Sequence, residues 1–242
     1  MSLLVTGAGR GIGSAIVALA QARGETVIAH DVSAESLARI PAGVRTLTGD
    51  LTDPVQLDRV VKLAEQVGVT AVLAAHGVTG AIAFDDLEEQ ASRRVMRINC
   101  SSIIRMTREL WPHLARVQGA VVIVASQAAL RPERENSIDC ASKWALLYWA
   151  QAVGDVARGD GFAIRVLCPG RTDSAMLLEA NRRIARTPSL SAGDYARATT
   201  QAIPLKRYAS VDEIASAALL LAGPPGAALP RILAVTGGEV FS

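Results

Sequence analysis

A glycine-rich turn near the start of the chain constrains the fold more than any other stretch. Residues 3–5 are apolar and predict a short buried strand, and residues 14–20 follow a helical pattern. Between them lie four glycines, at positions Gly7, Gly9, Gly11 and Gly13. Glycine permits a tight turn and lets a phosphate approach the backbone without meeting a Cβ atom. The next helix offers free N–H groups and the positive end of its dipole, so the stretch predicts a dinucleotide-binding turn.

Strand and helix patterns alternate along the rest of the chain. This alternation predicts one doubly wound α/β domain over residues 1–242, with a mostly parallel, seven-stranded sheet. The predicted strands cover residues 3–5, 26–29, 44–48, 70–74, 120–125, 162–167 and 231–235. A long helix is expected over residues 87–116, with a break near Asn99 or Pro112.

Composition argues against several classes of protein. The net charge of +2 gives no electrostatic case for nucleic-acid binding, and no apolar run reaches membrane-spanning length. Met1 leads directly into the first predicted strand, so no signal peptide is expected. The three cysteines lack metal or redox spacing. We therefore expect reduced thiols, no metal and a cytoplasmic location.

Asp31 ends the second predicted strand, about twenty residues beyond the glycines, where an acidic side chain suits hydrogen bonding to an adenosine ribose. The same carboxylate would repel a 2′-phosphate and so favours NAD over NADP. The alternative is an ordinary solvated acid at a strand end. Arg10, inside the glycine turn, is a weaker opposite indication, because a cation there could meet a 2′-phosphate.

Residues 6–13 read Thr-Gly-x-x-x-Gly-x-Gly and resemble the cofactor turn of the short-chain dehydrogenase/reductases. The resemblance extends over nearly the whole chain. It implies a Rossmann fold and an oxidoreductase that moves a hydride between a nicotinamide and a small alcohol or carbonyl compound. The cofactor-binding positions that it implies are Gly7, Gly9, Arg10, Gly11, Ile12, Gly13, Asp31, Asp50, Leu51, Gly77, Lys143, Pro169, Gly170, Thr172 and Ser174.

Three catalytic positions follow from the same resemblance. Ser126, at the end of the fifth predicted strand, matches the serine that hydrogen-bonds the substrate oxygen. Lys143 matches the lysine that binds the nicotinamide ribose and lowers the pKa of the catalytic tyrosine. Asn99 matches the helix asparagine that holds a water in the proton relay.

The chain departs from the family at the proton donor. The tyrosine position, four residues before Lys143, is Asp139, and no tyrosine lies between Ser126 and Tyr148. An aspartate is shorter than a tyrosine, and its ordinary pKa is about 4 rather than about 10. Beside Lys143 it should stay ionised, as a base and a poor acid, with water filling the gap. Alternatively, Asp139 is only the N-cap of its helix.

A second departure follows the fourth predicted strand. The family usually has Asn-Asn-Ala-Gly there, but this chain has Ala74-Ala75-His76-Gly77. Histidine titrates near neutral pH, so His76 is either an acid–base group or a buried structural histidine.

Two further features concern substrate and assembly. Residues 175–204 correspond to the substrate lid of relatives, and arginines in and beside them suit either anion recognition or a solvated helix face. These arginines are Arg171, Arg182, Arg183, Arg186 and Arg197. Large apolar residues after Lys143, namely Trp144, Leu147, Tyr148 and Trp149, predict together with the resemblance a homodimer or homotetramer.

The sequence leaves three functions open. The first is an NAD-dependent oxidoreductase with an altered proton path, in which Asp139 or water replaces the phenol. The second is a redox-inactive, NAD-binding regulatory protein. The third is a non-redox enzyme on the same scaffold that uses Asp139 as a base. The presence of Ser126 and Lys143 favours chemistry over binding alone.

Overall fold

Seven parallel strands form the central sheet of the computed structural model, which describes residues 1–79, 84–133, 136–184 and 191–240. The strands are β1 (Ser2–Thr6), β2 (Thr26–Asp31), β3 (Arg45–Thr48), β4 (Ala71–Ala74), β5 (Ala120–Val124), β6 (Ala163–Pro169) and β7 (Ile232–Val235). Their order is β3-β2-β1-β4-β5-β6-β7, and every pair is parallel. The predicted doubly wound α/β fold is confirmed.

Helices cover both faces of this sheet. They are α1 (Gly11–Ala22), α2 (Ala34–Leu37), α3 (Pro54–Val67), α4 (Glu89–Met96), α5 (Ser102–Val117), α6 (Ser137–Gly159), α7 (Ala175–Ile184), α8 (Ala192–Ala202) and α9 (Val211–Leu221). Among the described residues, none of these helices has the length and apolarity needed to span a bilayer.

Successive side chains along the strands point to opposite faces of the sheet and pack into two separate cores. On β1, Leu4 packs into the core shared with α3, α5 and α6, while Leu3 and Val5 pack into the core shared with α1 and α9. This is the two-residue period of a strand that is buried on both faces. It explains why the strands appear in the sequence as continuous apolar runs.

The reversal of strand order fixes where a ligand can enter. β1 lies between β2 and β4, so the chain winds outward to β3 and then crosses back to the other side of β1. In open parallel sheets, ligands bind in the crevice outside the carboxyl ends of the strands at such a reversal. The glycine turn follows β1 and so lies at this crevice.

The predicted long helix is interrupted where Asn99 lies. Helix α4 continues into a π-turn over Arg97–Ser101, and α5 begins immediately after it. Pro112, the other predicted break, lies inside α5 without ending it. Single π-turns inside helices occur frequently at functional sites. Here the π-turn carries Asn99 toward the start of α6.

Candidate active site

A cavity of about 590 Å³ opens at the carboxyl ends of the central strands and gathers most of the predicted site. The predicted residues that line it are Gly7, Arg10, Gly11, Ile12, Gly13, Asp31, Asp50, Leu51, Gly77, Ser126, Asp139, Lys143, Pro169, Gly170, Thr172 and Ser174. Gly9 and Asn99 do not line the cavity. They lie behind its surface and hold Asp31 and Asp139, respectively, by hydrogen bonds.

The glycine turn is packed too closely to admit larger residues. A Cβ atom on Gly13 would lie 2.0 Å from the carbonyl oxygen of Gly7. Gly7 itself has a φ of +69°, and its Cβ atom would lie 2.7 Å from the backbone of His76. Helix α1 begins at Gly11, so its first N–H groups face the cavity side of the turn. Close packing and an accessible helix N-terminus are the two requirements of a phosphate-binding turn.

Asp31 is fixed at the rim of the cavity by two backbone groups. Its Oδ2 accepts from the N–H of Gly9 at 3.0 Å, and its Oδ1 accepts from the N–H of Ser33 at 3.0 Å. The carboxylate therefore has a defined position rather than that of a freely solvated acid. Asp50 also lines the cavity, and its Oδ1 accepts from the N–H of Thr52 at 2.8 Å, so it stabilises a turn as well.

Two hydroxyl residues follow β6 on the opposite side of the cavity. The Oγ1 of Thr172 donates to the carbonyl oxygen of Gly170 at 3.0 Å. The Oγ of Ser174 accepts from the N–H of Leu177 at 3.3 Å, at the start of α7. Their roles toward a cofactor stay predictions.

Ser126 and Lys143 meet in this cavity from two different elements. Ser126 follows β5, and its Oγ accepts from the N–H of Ala128 at 3.1 Å. Lys143 lies on α6, and its Nζ donates to the carbonyl oxygen of Val124 at 3.3 Å. Burial lowers the pKa of Lys143, and the nearby charge of Asp139 partly opposes this shift.

Asp139 is not the N-cap of its helix, so that alternative is wrong. Helix α6 begins at Ser137 with Asn136 as its N-cap, and Asp139 lies in the first turn. Burial raises the pKa of Asp139, the charge of Lys143 opposes this, and Glu133 adds to it. The effect of burial on the pKa therefore exceeds that of Lys143, and Asp139 is protonated more readily than the sequence predicts.

Asn99 holds Asp139 in place. Its Nδ2 donates to Oδ1 of Asp139 at 3.0 Å, to the carbonyl oxygen of Val78 at 2.9 Å and to Oγ of Ser142 at 3.2 Å. Its Oδ1 accepts from the N–H of Val78 at 2.8 Å. The side chain is therefore engaged by protein groups and positions the carboxylate, while the relay water that the resemblance implies stays a prediction.

His76 has both ring nitrogens engaged. Nδ1 lies 2.7 Å from Oγ1 of Thr6, and Nε2 lies 2.8 Å from Oγ of Ser102. Burial lowers the pKa of His76 to about 3, and electrostatic interactions with His30 and Lys143 act in the same direction. These contacts favour the structural interpretation. The ring supplies a polar link between β1, the segment after β4 and α5.

Of the five predicted arginines, Arg171 and Arg197 have described side chains, and of these two only Arg171 lines the cavity. Arg197 is exposed and pairs with Asp194 on its own helix. Arg171 lies 3.9 Å from Glu239, which also pairs with Arg131. Arg186 and the side chains of Arg182 and Arg183 lie outside the described residues.

Sequence reasoning missed a set of polar side chains beyond Ser126. Gln127 and Glu133 line the cavity, and Nε2 of Gln127 donates to Oε1 of Glu133 at 3.0 Å. Nδ2 of Asn136 donates to the other carboxylate oxygen of Glu133 at 3.2 Å. Asn181, on α7, lines the same cavity. The only available signal was the position of three of these residues between Ser126 and Asp139.

Comparisons with known proteins agree with the family resemblance and the fold. Residues 2–185 match the family model described as short chain dehydrogenase. The chain is 28% identical to galactitol 2-dehydrogenase of Agrobacterium fabrum over 227 residues, 90% of this chain and 89% of that protein. It is 32% identical to 1-deoxy-11-beta-hydroxypentalenate dehydrogenase of Streptomyces exfoliatus over 220 residues, 85% and 80% of the two chains.

A solved structure shares the fold. An actinorhodin polyketide ketoreductase with NADPH matches with a TM-score of 0.91 and 24% identity, over 98% of this chain and 96% of that one.

Proposed function

The chain belongs to the short-chain dehydrogenase family, and from this premise we propose that it is an NAD-dependent oxidoreductase in which Asp139 stands in for the family's tyrosine. Relatives named as dehydrogenases support hydride transfer between a nicotinamide and an alcohol or carbonyl compound. The observation that carries the proposal is that Ser126, Asp139 and Lys143 line the same cavity as the glycine turn. The two relatives are named for different substrates, so they support only this broad class.

The residues present fit a dinucleotide. The close-packed turn and the start of α1 suit the pyrophosphate, and the carboxylate of Asp31 suits a ribose with free hydroxyls. Arg10 is exposed and has no side-chain partner among the described residues, whereas two hydrogen bonds fix Asp31. The defined negative charge therefore supports a preference for NAD. When bound, the nicotinamide supplies or accepts the hydride.

The catalytic side chains have complementary tasks. The Oγ of Ser126 already accepts a hydrogen bond from Ala128, so its own hydrogen is available to the substrate oxygen. The Nζ of Lys143 uses one hydrogen on Val124, which leaves others for ribose hydroxyls. Asp139, with its raised pKa, gives a proton toward the substrate oxygen in reduction and takes one in oxidation. Because a carboxylate is shorter than a phenol, a water completes this path.

Deuterium transfer tests the proposal even if turnover is slow. The protein is incubated with NADH deuterated at C4 and a panel of ketones, and the alcohols are analysed by mass spectrometry. We expect a deuterated alcohol from at least one ketone, and its loss in the variants Ser126→Ala and Lys143→Met. Intact NADH binding without deuterium transfer would instead favour the redox-inactive binding protein. Conversion of a substrate without cofactor turnover would favour the non-redox enzyme.

We also propose a homodimer or homotetramer formed through α6. Trp144 and Tyr148 are 50% and 51% exposed, and their rings stack with centroids 4.0 Å apart. Leu147 and Trp149 were expected to contribute to this surface, but they pack into the protein's own core. The exposed patch is therefore smaller than the sequence predicts. The cytoplasmic location and the lid over residues 175–204 stay predictions.

A further inference from the structure

We propose that the substrate carries several hydroxyl groups, as a sugar alcohol or its keto form does. It would be recognised by four cavity-lining side chains, Gln127, Glu133, Asn136 and Asn181, here called the polar wall. This inference rests on the proposed oxidoreductase function and names its substrate class. Its basis is the set of hydrogen-bonding atoms in the wall that the protein leaves unpaired.

Gln127 contributes an unpaired acceptor. The side chain is only 2% exposed, and its Nε2 is engaged by Glu133, which identifies the other atom as the oxygen. That oxygen, Oε1, has no partner among the described residues. A Cβ atom on Gly170 would lie 3.1 Å from it, so Oε1 faces the turn after β6. Buried polar atoms are normally satisfied, and a ligand that donates a hydrogen bond would satisfy this one.

Asn181 contributes a second unpaired group from the opposite side. It is 3% exposed, and neither its Oδ1 nor its Nδ2 has a partner within the described part of the chain. The group needs both a donor and an acceptor. A hydroxyl is both at once, whereas an ammonium group only donates and a ketone or carboxylate oxygen only accepts.

Glu133 and Asn136 complete a wall in which acceptors outnumber donors. Each carboxylate oxygen of Glu133 takes one amide hydrogen and keeps a free lone pair. The Nδ2 of Asn136 donates to Glu133, and the Oδ1 of Asn136 has no partner among the described residues. An apolar substrate would leave these acceptors unpaired. An anionic substrate would meet the charge of Glu133, while two arginines that line the same cavity already lie beside another carboxylate. These are Arg131 and Arg171, beside Glu239. A neutral, hydroxyl-rich substrate would pair the free acceptors and would bring no negative charge close to Glu133.

Calorimetry with matched compounds tests this inference. D-glucitol and myo-inositol are compared with hexan-2-ol and cyclohexanol, which have the same numbers of carbons, with and without saturating NADH. Because NADH cannot accept a hydride, no oxidation accompanies the binding of an alcohol. We expect the polyols to bind at least about tenfold more tightly, since each further hydrogen bond contributes modestly to affinity. Equal or tighter binding of the simple alcohols would overturn the inference.

The variant Asn181→Leu tests how much the polar wall contributes to polyol binding. It should weaken polyol binding about tenfold and leave the affinity for NADH unchanged. Because it replaces an unpaired buried amide, thermal stability without polyol should not fall. Gln66→Leu, an exposed amide on α3 outside the cavity, is the matched control and should change neither affinity. Unchanged polyol affinity in Asn181→Leu would contradict a role for the wall.

The same experiment separates the two proposals. If the protein does not bind NADH but still binds polyols, the proposed oxidoreductase function fails and the wall stands. If it binds and oxidises NADH with other ketones but does not bind polyols, the polar wall fails and the oxidoreductase stands.

Discussion

The amide Nδ2 of Asn99 donates to Oδ1 of Asp139 over 3.0 Å, and this bond joins the π-turn after α4 to the first turn of α6. The bond stabilises the ionised carboxylate and lowers its pKa, while burial raises that pKa. The carboxyl group of Asp139 is thus oriented by one neighbour and made easier to protonate by its surroundings. Its proton affinity can therefore be changed without replacing the acid itself.

Replacing Asn99 should shift the pH dependence of carbonyl reduction. Reduction needs protonated Asp139, so its rate should fall as pH rises through the pKa of this group. In Asn99→Ala that pKa should rise, because a hydrogen bond to a charged group is lost, and the falling limb should move to higher pH. The measurement is the pH profile of NADH-dependent reduction. Asp139→Asn should remove the limb, and an unshifted limb in Asn99→Ala would assign the titration to another group.

A tyrosine in place of Asp139 should raise activity most at alkaline pH. Asp139→Tyr should increase hydride transfer by about 10²–10⁴-fold at pH 8, the usual contribution of general acid–base catalysis. At this pH a tyrosine stays protonated, while an aspartate is mostly ionised. The gain should shrink as the pH falls, because the protonated fraction of Asp139 then increases. NADH absorbance over one substrate panel measures both proteins. A wild type that exceeds the variant at pH 8 would show that the aspartate is an effective donor.

The wild-type protein should bind NAD(H) more tightly than NADP(H). Asp31→Ser should reduce the ratio of the NAD(H) affinity to the NADP(H) affinity by about tenfold, because it removes a negative charge from the expected position of the 2′-phosphate. Arg10→Ala should increase this ratio, since the substitution removes an exposed cation from the glycine turn. Calorimetric titration of all four nucleotides measures both changes. Equal affinities in the wild type would mean that Asp31 does not face the ribose.

The fold should lose stability in mild acid. Burial lowers the pKa of His76 to about 3 and that of His30 to about 4, so both rings are neutral in the folded protein at neutral pH. In the unfolded chain histidine binds a proton below about pH 6.5. Stability is therefore full above that pH and falls as pH drops toward 4.

Urea unfolding at pH 7.5 and pH 5.0 measures this loss of stability. His30→Phe should reduce the difference between the two free energies of unfolding. An unchanged difference would show that His30 does not contribute to it.

Charged residues on the exposed face of α6 should separate the subunits. The double variant Trp144→Glu with Tyr148→Glu should reduce the mass measured by light scattering to that of one chain, because it places charges in an apolar contact. Val55→Glu, an equally exposed apolar position on α3, is the control and should leave the assembly intact. A monomeric wild type at micromolar concentration would contradict the proposal itself.

Sequence reasoning succeeded where the signal was local. The glycine turn, the strands and the positions of Ser126 and Lys143 depend on neighbours along the chain, and the structure brings these residues to one cavity. The alternative that made Asp139 the N-cap was wrong, because Asn136 and Ser137 offer other polar starts and the helix begins before Asp139.

The remaining features depend on contacts between distant segments. Asn99 and Asp139 are 40 residues apart, and no pattern in either segment indicates their hydrogen bond. The unpaired amide of Asn181 can be recognised as part of the site only when the position of α7 at the cavity is known. Leu147 and Trp149 were assigned to the surface because α6 is apolar around much of its circumference, which hides its buried side from periodicity.

The ring of His76 connects the glycine turn to the π-turn by two hydrogen bonds. Thr6 directly precedes the glycine turn, and Ser102 directly follows the π-turn that carries Asn99. One rigid imidazole spans them through bonds of 2.7 and 2.8 Å. Neither turn can shift far without breaking one of these bonds. A single aromatic ring therefore connects the glycine turn to the turn that carries Asn99, the residue that orients Asp139.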